Sequence, residues 1–399
     1  MSPRDVVVTG VGAVTAVGVG IAALADALEG ARSGLRPLRV LDCLYGGEAP
    51  TPARSRMARH LDRSASLFLV AAEEAWRDAG LAQTLAEPMR GAVIEGSSLG
   101  PLSDVLDTHR QRIVSGDTSP PRPTGLVRFM TGAGGAAFAQ QHAVHGPVLH
   151  VSAGSVSATT AIGETYAKVA LGQVDIAVAG GAECPLQEVI CANFRAAGLL
   201  AEQADGPSCR PFDISRAGTV LGEGAGILIL ESAEHAARRG ARVHARIGGY
   251  GLANEAFSMI APDPAGAGVA AAAQQALDGV DRDVIGWIKT HGTGTRANDA
   301  AECHGLAAVF GDRLGATPLT ALKPTFGHCL GASGAVEAVA AIVALERRFI
   351  PATLGTTVVD PALPRCDVAL EVRESRARGA LLLAESFGGR CAALTLLAA

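Results

Sequence analysis

Short apolar segments rich in β-branched residues alternate along the whole chain with alanine-rich segments of helical periodicity. In the first half the strand-like segments are VVVTG, GAVIEG at 91–96, VLHVS at 148–152, VDIAVAGG at 174–181 and GILILE at 226–231. Helical spacing of apolar residues is found at 20–34, 64–80 and 157–172, each of which ends at a glycine. This alternation predicts an α/β protein built from βαβ units with mainly parallel sheets.

The second half of the chain repeats this rhythm. VHARIGGYG and WIKTHG are strand-like, helices are predicted near 267–277, 298–310 and 332–345, and ALLLAE and AALTLLA close the chain as strands. Residues 232–245 are interpreted as a connection between two similar halves. We therefore predict two domains, 1–240 and 241–399.

Composition limits the classes of function. The 399 residues are enough for two packed halves, and 49 glycines with 48% hydrophobic residues predict close packing of helices on sheets. A net charge of −5 gives no basic field for nucleic acid. The eight cysteines form no C-x-x-C pair and are interpreted as buried structural thiols.

No targeting or cofactor motif is recognised. The N-terminus runs directly into a strand pattern without signal-peptide features, and the longest apolar run is interrupted by Glu337, so we expect a cytoplasmic protein without membrane spans. No His/Cys cluster has metal-ligand spacing, and no G-x-G-x-x-G opens a helix. We expect neither a bound metal nor a nucleotide cofactor.

Four sequence blocks carry the chemistry. They are HGPVLHVSAGSVSATTAIGE at 145–164, RPFDISRAGTVLGEGAGILILE at 210–231, KTHGTGTRANDAAE at 289–302 and KPTFGHCLGASGAVE at 323–337. In this order and spacing they resemble the elongating β-ketoacyl-acyl-carrier-protein synthases, the ketosynthase branch of the thiolase superfamily. The resemblance spans essentially the whole chain. It implies a thiolase fold, in which two βαβαβαββ halves form a five-layered αβαβα core.

The resemblance also implies the catalytic residues. The family uses a Cys-His-His triad, and His291 and His328 match its two histidines. Counting without gaps from either side places the nucleophile at Ser155, and none of the eight cysteines lies within 25 residues of it. The nucleophile turn belongs to the first predicted half and both histidines to the second.

Further residues are carried over as supporting groups. Lys323 and Glu337 match a buried pair expected to orient His328 and tune its charge. The family's N-S-F-G-F-G-G-T-N segment corresponds to 385–391, where Phe387 is retained but Gly389 replaces the second, gating Phe. The backbone N–H groups of Gly389 and Ser155 are expected to form an oxyanion hole.

Replacing sulfur by oxygen changes the chemistry. A helix N-terminus favours a thiolate, but a serine hydroxyl is a far weaker acid and needs a neighbouring base such as His328 or His291. The acyl-serine would be an oxyester, less reactive towards a carbanion than a thioester. Alone, a serine before a helix is most simply an N-cap, and the intact histidine pair is what favours a reactive Ser155.

Three functions fit these residues. The first is an acyltransferase that forms an acyl-serine from acyl-carrier-protein thioesters in polyketide or fatty-acid-type biosynthesis. The second is a non-catalytic partner similar to chain-length factors, and the third is a residual condensing or decarboxylating enzyme. The resemblance implies substrates carried on the phosphopantetheine arm of acyl carrier protein, or on CoA, without another cofactor.

Partners are expected from the same resemblance. Acyl carrier protein is acidic, so its docking site must be a local basic cluster, and residues 54–63 with four arginines form the densest one. Arg110 and Arg112 form the second. Such clusters are more commonly solvated helix faces. We also expect a homodimer or a heterodimer with a Cys-type ketosynthase.

Overall fold

The computed structural model describes residues 3–38, 45–51, 60–119, 125–202 and 209–399. Its strands are β1 (Val6–Thr15), β2 (Gly18–Val19), β3 (Arg36–Pro37), β4 (Tyr45–Gly46), β5 (Gly91–Gly96), β6 (Val148–Val151), β7 (Ile176–Glu183), β8 (Gly224–Ser232), β9 (Ala245–Asn254), β10 (Ile285–Lys289), β11 (Pro318–Thr320), β12 (Phe349–Ile350), β13 (Asp367–Val368), β14 (Arg373–Glu374), β15 (Gly379–Ser386) and β16 (Arg390–Ala398).

The helices of the same residues are α1 (Ile21–Glu29), α2 (Arg63–Asp78), α3 (Leu102–Ser115), α4 (Gly125–Arg128), α5 (Ala133–His142), α6 (Ser157–Ala170), α7 (Glu188–Ala196), α8 (Ala233–Arg238), α9 (Ala267–Ala276), α10 (Arg296–Phe310), α11 (Lys323–Phe326) and α12 (Ser333–Arg347). The sequence predicted six of them (α1, α2, α6, α9, α10 and α12), whereas α3, α4, α5, α7, α8 and α11 were not predicted. No helix of the described ranges combines the length and apolarity needed to cross a membrane. The proline-rich segment DTSPPRPTG at 117–125, whose composition predicts a surface loop, lies partly outside these ranges.

The two halves of the chain share one sheet topology. The first half runs β6-β5-β7-β8-β1 and the second β11-β10-β15-β16-β9, so both follow the order third, second, fourth, fifth, first. In each half the first three strands of that spatial order are parallel and the last two pairings are antiparallel. The halves meet where β1 pairs with β9. The two halves therefore repeat one strand order, which agrees with the predicted α/β class and internal repeat.

Helices cover and separate these half-sheets. Helices α2 and α5 pack on the outside of the first half, α9 and α10 on the outside of the second, and α6 and α12 lie between them. This gives the five-layered αβαβα core that the resemblance implied. Helix α12 is buried along nearly its whole length, which explains its continuous Ala/Val/Ile sequence.

Glycine allows the close packing of helices on strands. A Cβ on Gly12 of β1 would lie 2.0 Å from the carbonyl oxygen of Ala71 in α2, and one on Gly226 of β8 would lie 2.4 Å from the carbonyl carbon of Ala335 in α12. A larger residue at either position would push a helix off the sheet. The high glycine content therefore reflects packing.

A buried histidine ties two of the helical layers together. His244 Nε2 lies 2.8 Å from Asp78 Oδ2 at the end of α2, and its Nδ1 lies 2.8 Å from Glu346 Oε1 near the end of α12. Burial opposes its charged form, but the two carboxylates outweigh that effect and raise the pKa of His244 to about 9. The imidazolium therefore forms a charged link between the layers at neutral pH.

Candidate active site

A tight turn presents Ser155 between β6 and α6. Helix α6 begins two residues later at Ser157, so its free N–H groups lie next to Ser155. Gly154 has φ +65°, and a Cβ there would lie 2.1 Å from Ser386 Oγ, so the turn requires glycine. The Ser157 hydroxyl donates to the Gly154 carbonyl at 2.6 Å and accepts from the Ala153 N–H at 2.8 Å, which fixes the turn.

His328 lies within proton-transfer distance of Ser155. Its Nε2 is 3.1 Å from Ser155 Oγ, and its Nδ1 is 2.8 Å from the hydroxyl of Ser333, the first residue of α12. When Nδ1–H donates to Ser333, the neutral ring presents Nε2 as an acceptor for the Ser155 hydroxyl. The arrangement has the order nucleophile, base and orienting group that activates serine in hydrolases.

The ring nitrogens of His291 have the opposite donor and acceptor roles to those of His328. Its Nδ1 lies 3.2 Å from Lys323 Nζ, which also donates to the His291 carbonyl. Because an ammonium only donates, Nδ1 accepts and the ring proton is on Nε2. The rings of His291 and His328 have centroids 5.2 Å apart. The pair therefore supplies one acceptor and one donor in the same site.

Two buried lysines share one glutamate beneath the histidines. Lys323 Nζ lies 3.1 Å from Glu337 Oε1, while Lys289 Nζ contacts Glu337 Oε2 and donates to the Leu383 carbonyl at 2.6 Å. The prediction that Lys323 and Glu337 orient His328 is wrong, because Lys323 contacts His291 and Ser333 holds His328. The predicted effect on the charge of His328 agrees with the structure, since the positive charge of Lys323 adds to burial in lowering its pKa. Sequence reasoning missed Ser333 and Lys289, although both lie within the quoted histidine blocks.

The electrostatics keep both rings neutral. Burial is the largest effect, and the positive charges of Lys323 and Lys289 add to it, so the pKa of His328 is well below its usual value. Burial, Lys323 and then His328 itself lower the pKa of His291 in the same way. A neutral His328 can accept a proton at physiological pH.

Acidic side chains brace the loop that carries His291. Glu302 of α10 accepts the N–H groups of His291 and Gly292, and Asp299 accepts those of Phe212 and Gly294. Burial raises the pKa of Glu302 to about 7, although its backbone donors oppose this shift. The two carboxylates therefore fix the backbone of the loop that carries His291.

The β15–β16 hairpin closes the other side of the site. Ser386 and Arg390 pair across a turn of Phe387, Gly388 and Gly389. The Ser386 hydroxyl accepts the Ser155 N–H at 2.8 Å, so one donor of the predicted oxyanion hole is engaged by a side chain that sequence reasoning did not consider. The Gly389 carbonyl accepts the Glu255 N–H at 2.7 Å. Phe387 is 46% exposed and lies beside Phe194, with ring centroids 6.2 Å apart.

These elements surround a cavity of about 550 Å³. Its lining includes Ser155, both histidines, Phe387 and Gly389, whereas Lys323 and Glu337 lie behind the wall. The volume suits an extended small-molecule group, and the surface that lines it is mostly apolar. The cavity thus brings together the predicted nucleophile and both predicted histidines, which lie in different halves of the chain.

One group near the cavity has metal-ligating potential that the sequence did not indicate. Ligand atoms of Glu255, Glu385 and Cys391 lie within 4.8 Å of one another. The three residues are separated by up to 136 positions, so no spacing motif reveals them.

The predicted basic docking clusters are only partly described. Arg54, Arg56 and Arg59 lie outside the described residues. Arg63 forms a salt bridge with Glu223 (2.6 Å), so its guanidinium is engaged inside the protein and does not support a docking role. Arg110 pairs with Glu188 (3.2 Å) and Arg112 donates to the Ser119 carbonyl.

Comparison with known families matches both halves of the chain. Residues 3–236 match the family described as β-ketoacyl synthase, N-terminal domain, and residues 244–357 match the β-ketoacyl synthase, C-terminal domain. Nodulation protein E of Rhizobium meliloti strain 1021 is 33% identical over 401 residues, covering 98% of each chain.

Solved structures agree with the sequence comparison. The ishigamide ketosynthase/chain length factor superposes with a TM-score of 0.91 at 31% identity and covers all of both chains. A structure described as a type II polyketide synthase acyl carrier protein in complex with its ketosynthase also gives a TM-score of 0.91, at 26% identity with full coverage of both chains.

Proposed function

This chain belongs to the β-ketoacyl synthase family of condensing, acyl-transferring proteins, and from that premise we propose an acyltransferase that forms an acyl-serine at Ser155. The acyl group would arrive as a thioester of acyl carrier protein, in polyketide or fatty-acid-type biosynthesis. The observation that carries the proposal is the 3.1 Å contact between Ser155 Oγ and the acceptor nitrogen of His328.

The proposed reaction has two balanced steps. In the first, His328 Nε2 takes the Ser155 proton while Oγ attacks the thioester carbonyl; the C–S bond breaks, and the pantetheine thiol leaves with that proton. In the second, an acceptor gives its proton to His328 and attacks the ester carbonyl. The C–O bond to Ser155 then breaks and Oγ recovers the proton from His328.

His291 and the hairpin would stabilise the developing charge. The Nε2–H of His291 can donate to the carbonyl oxygen as it becomes an oxyanion. The Ser155 N–H, now held by Ser386 Oγ, becomes a second donor if that oxygen is displaced by substrate, and the Gly389 N–H completes the hole. Because Gly389 replaces the gating Phe, no aromatic side chain at this position would control the order in which substrates enter.

The partners are proposed from the relatives. The similar structure that contains an acyl carrier protein supports the same donor for this chain. Similarity to a ketosynthase/chain length factor supports a second candidate function, a non-catalytic subunit of a heterodimer with a Cys-type ketosynthase. A homodimer is the arrangement proposed for the acyltransferase.

Intact-mass spectrometry tests the acyl-serine directly. Purified protein is incubated with acyl- and malonyl-acyl-carrier protein, and adducts are mapped by proteolysis. We expect an acyl adduct on Ser155 that is lost in Ser155→Ala and formed more slowly in His328→Ala. Ser152→Ala changes an exposed serine on the same turn and should acylate normally.

Two other outcomes would replace the proposal. Absence of an adduct together with stable co-purification of a Cys-type ketosynthase would assign the chain as a partner subunit. Carbon dioxide release from malonyl carrier without an adduct would assign a residual decarboxylase. An adduct that persists in Ser155→Ala would place the nucleophile elsewhere.

A further inference from the structure

Three residues distant in sequence meet beside the acyl cavity. Glu385 of β15 pairs directly with Cys391 of β16, and Glu255 follows the neighbouring strand β9. The Glu255 N–H donates to the Gly389 carbonyl at 2.7 Å, which holds Glu255 against the hairpin. All three residues line the cavity, and their ligand atoms lie within 4.8 Å of one another.

Glu385 is a buried carboxyl group that lacks a donor. It is 5% exposed, and its Oε1 is buried without a hydrogen-bond partner among the described residues. Other buried carboxylates around the cavity, such as Glu302 and Glu183, each accept at least two N–H groups. An unsatisfied buried acceptor costs roughly 1–3 kcal/mol, so this carboxyl points to a ligand that supplies positive charge.

The surroundings orient the other two groups. The Asp263 N–H donates to Glu255 Oε2 at 2.9 Å, and Cys391 Sγ lies 3.9 Å from Glu255 Oε1. Helix α9 approaches this cluster at Gly268, where a Cβ would lie 2.5 Å from Glu255 Cγ and 2.8 Å from Cys391 Sγ. Because Gly268 has no side chain, α9 can approach without displacing Glu255 or Cys391.

We propose that Glu255, Glu385 and Cys391 form a zinc site whose fourth position opens into the cavity. Carboxylate oxygen and thiolate sulfur both bind zinc, three protein ligands with one open position are the coordination number of a catalytic-type tetrahedral zinc, and the sulfur favours zinc over magnesium or calcium. Binding replaces the Cys391 S–H bond by a Zn–S bond and releases the proton to solvent. A carboxylate pair that binds a substrate ammonium would have no need of the sulfur.

This inference goes beyond the acyltransferase and does not depend on it. The three ligand atoms lie together in the protein alone, so zinc binding can be measured without any substrate.

The test uses full-length, tag-free protein with zinc or cobalt ions alone. Zinc is titrated in competition with a chromophoric chelator, and Co²⁺ is added to look for thiolate-to-metal charge-transfer absorption. We expect one equivalent of zinc per chain and the charge-transfer band with cobalt. Cys391→Ala should abolish the band, and Glu385→Gln should weaken zinc binding about tenfold or more.

Two further variants make the test specific. Gly268→Ala keeps all three ligands but inserts a methyl group between α9 and the cluster, so it should also weaken zinc binding. Cys366→Ala removes a partly exposed thiol elsewhere and should leave binding unchanged. Melting temperatures measured without metal establish that each variant is folded.

The proposal is overturned if the wild-type chain binds no zinc, or if Cys391→Ala binds it as the wild type does. Stabilisation by alkylammonium ions without zinc binding would likewise overturn it, in favour of an ammonium-binding carboxylate pair. Because Ser155→Ala retains all three ligands, it should bind zinc normally, which separates failure of this site from failure of the acyl-serine.

Discussion

Removing the hydroxyl of Ser333 tests whether His328 works as a base. Ser333 is 1% exposed, and its Oγ lies 2.8 Å from Nδ1 of His328, on the side of the ring away from Ser155. In Ser333→Ala the ring loses its acceptor for Nδ1–H and the rest of the site is retained. We expect slower acylation of Ser155 in a folded protein.

The size of the effect follows from the change in charge on the ring. In the resting state the bond to Ser333 joins two neutral groups and is worth about 1 kcal/mol. In the transition state His328 becomes an imidazolium, and hydrogen bonds to charged groups are worth about 1.5–3 kcal/mol. The difference of about 0.5–2 kcal/mol predicts acylation slower by about 2- to 30-fold.

The assay is the rate of adduct formation by intact mass as a function of pH. Loss of the acceptor disfavours the protonated ring, so the already lowered pKa of His328 should fall further and the acid limb should move to lower pH. Thr165→Val is a matched control, because the Thr165 hydroxyl is buried but donates to the Ala161 carbonyl within α6. It should acylate at the wild-type rate.

A Ser333→Ala rate within twofold of wild type, with an unchanged acid limb, would refute the assignment of His328 as a base oriented by Ser333. Equal slowing in Thr165→Val would attribute the effect to general loss of packing.

Three further predictions concern charge and backbone. Lys289→Met removes one positive charge near His328, so the pKa of His328 should rise and the acid limb of acylation should move to higher pH, measured from the same pH–rate profile. Gly154→Ala should slow acylation about tenfold or more, whereas Gly80→Ala, with the same φ of +65° and no atom within 4 Å, should cost only about 1 kcal/mol of stability in denaturant unfolding. The pKa of His244 is raised to about 9, so its contribution to stability is complete below the unfolded pKa near 6.5 and is lost as pH rises through about 9. The melting temperature should therefore fall between these pH values, and it should fall less steeply in His244→Gln.

The periodicity of the chain predicted most of the secondary structure because buried elements carry strong patterns. GAVIEG is β5 without a shift in its bounds, and the predicted helix at 157–172 ends as α6 at Ala170. Helix α3 was missed because none of its residues is buried, so it has no continuous apolar face to recognise. Helix α5 consists largely of alanine and glycine, which gives little amphipathic contrast.

The residues of the candidate site likewise divide into those that the sequence predicts and those that it does not. Ser155, His291 and His328 could be predicted because each lies in a short sequence block that resembles a block of the family. Ser333 was not considered and Lys323 was assigned to the wrong ring, because hydrogen bonding to either residue depends on side-chain direction, which sequence blocks do not encode. The engagement of the Ser155 N–H by Ser386 joins residues 231 positions apart.

The sequence by itself determined the family and the α/β class, and it singled out Ser155, His291 and His328 as the predicted nucleophile and histidines, because these depend on short-range patterns and on residue order. The tertiary structure alone decided which histidine accepts and which donates, and it brought Glu255, Glu385 and Cys391 together beside the cavity. The physical reason is that hydrogen-bond polarity and ligand sets are set by distances of a few ångströms between strands whose pairing joins distant parts of the chain.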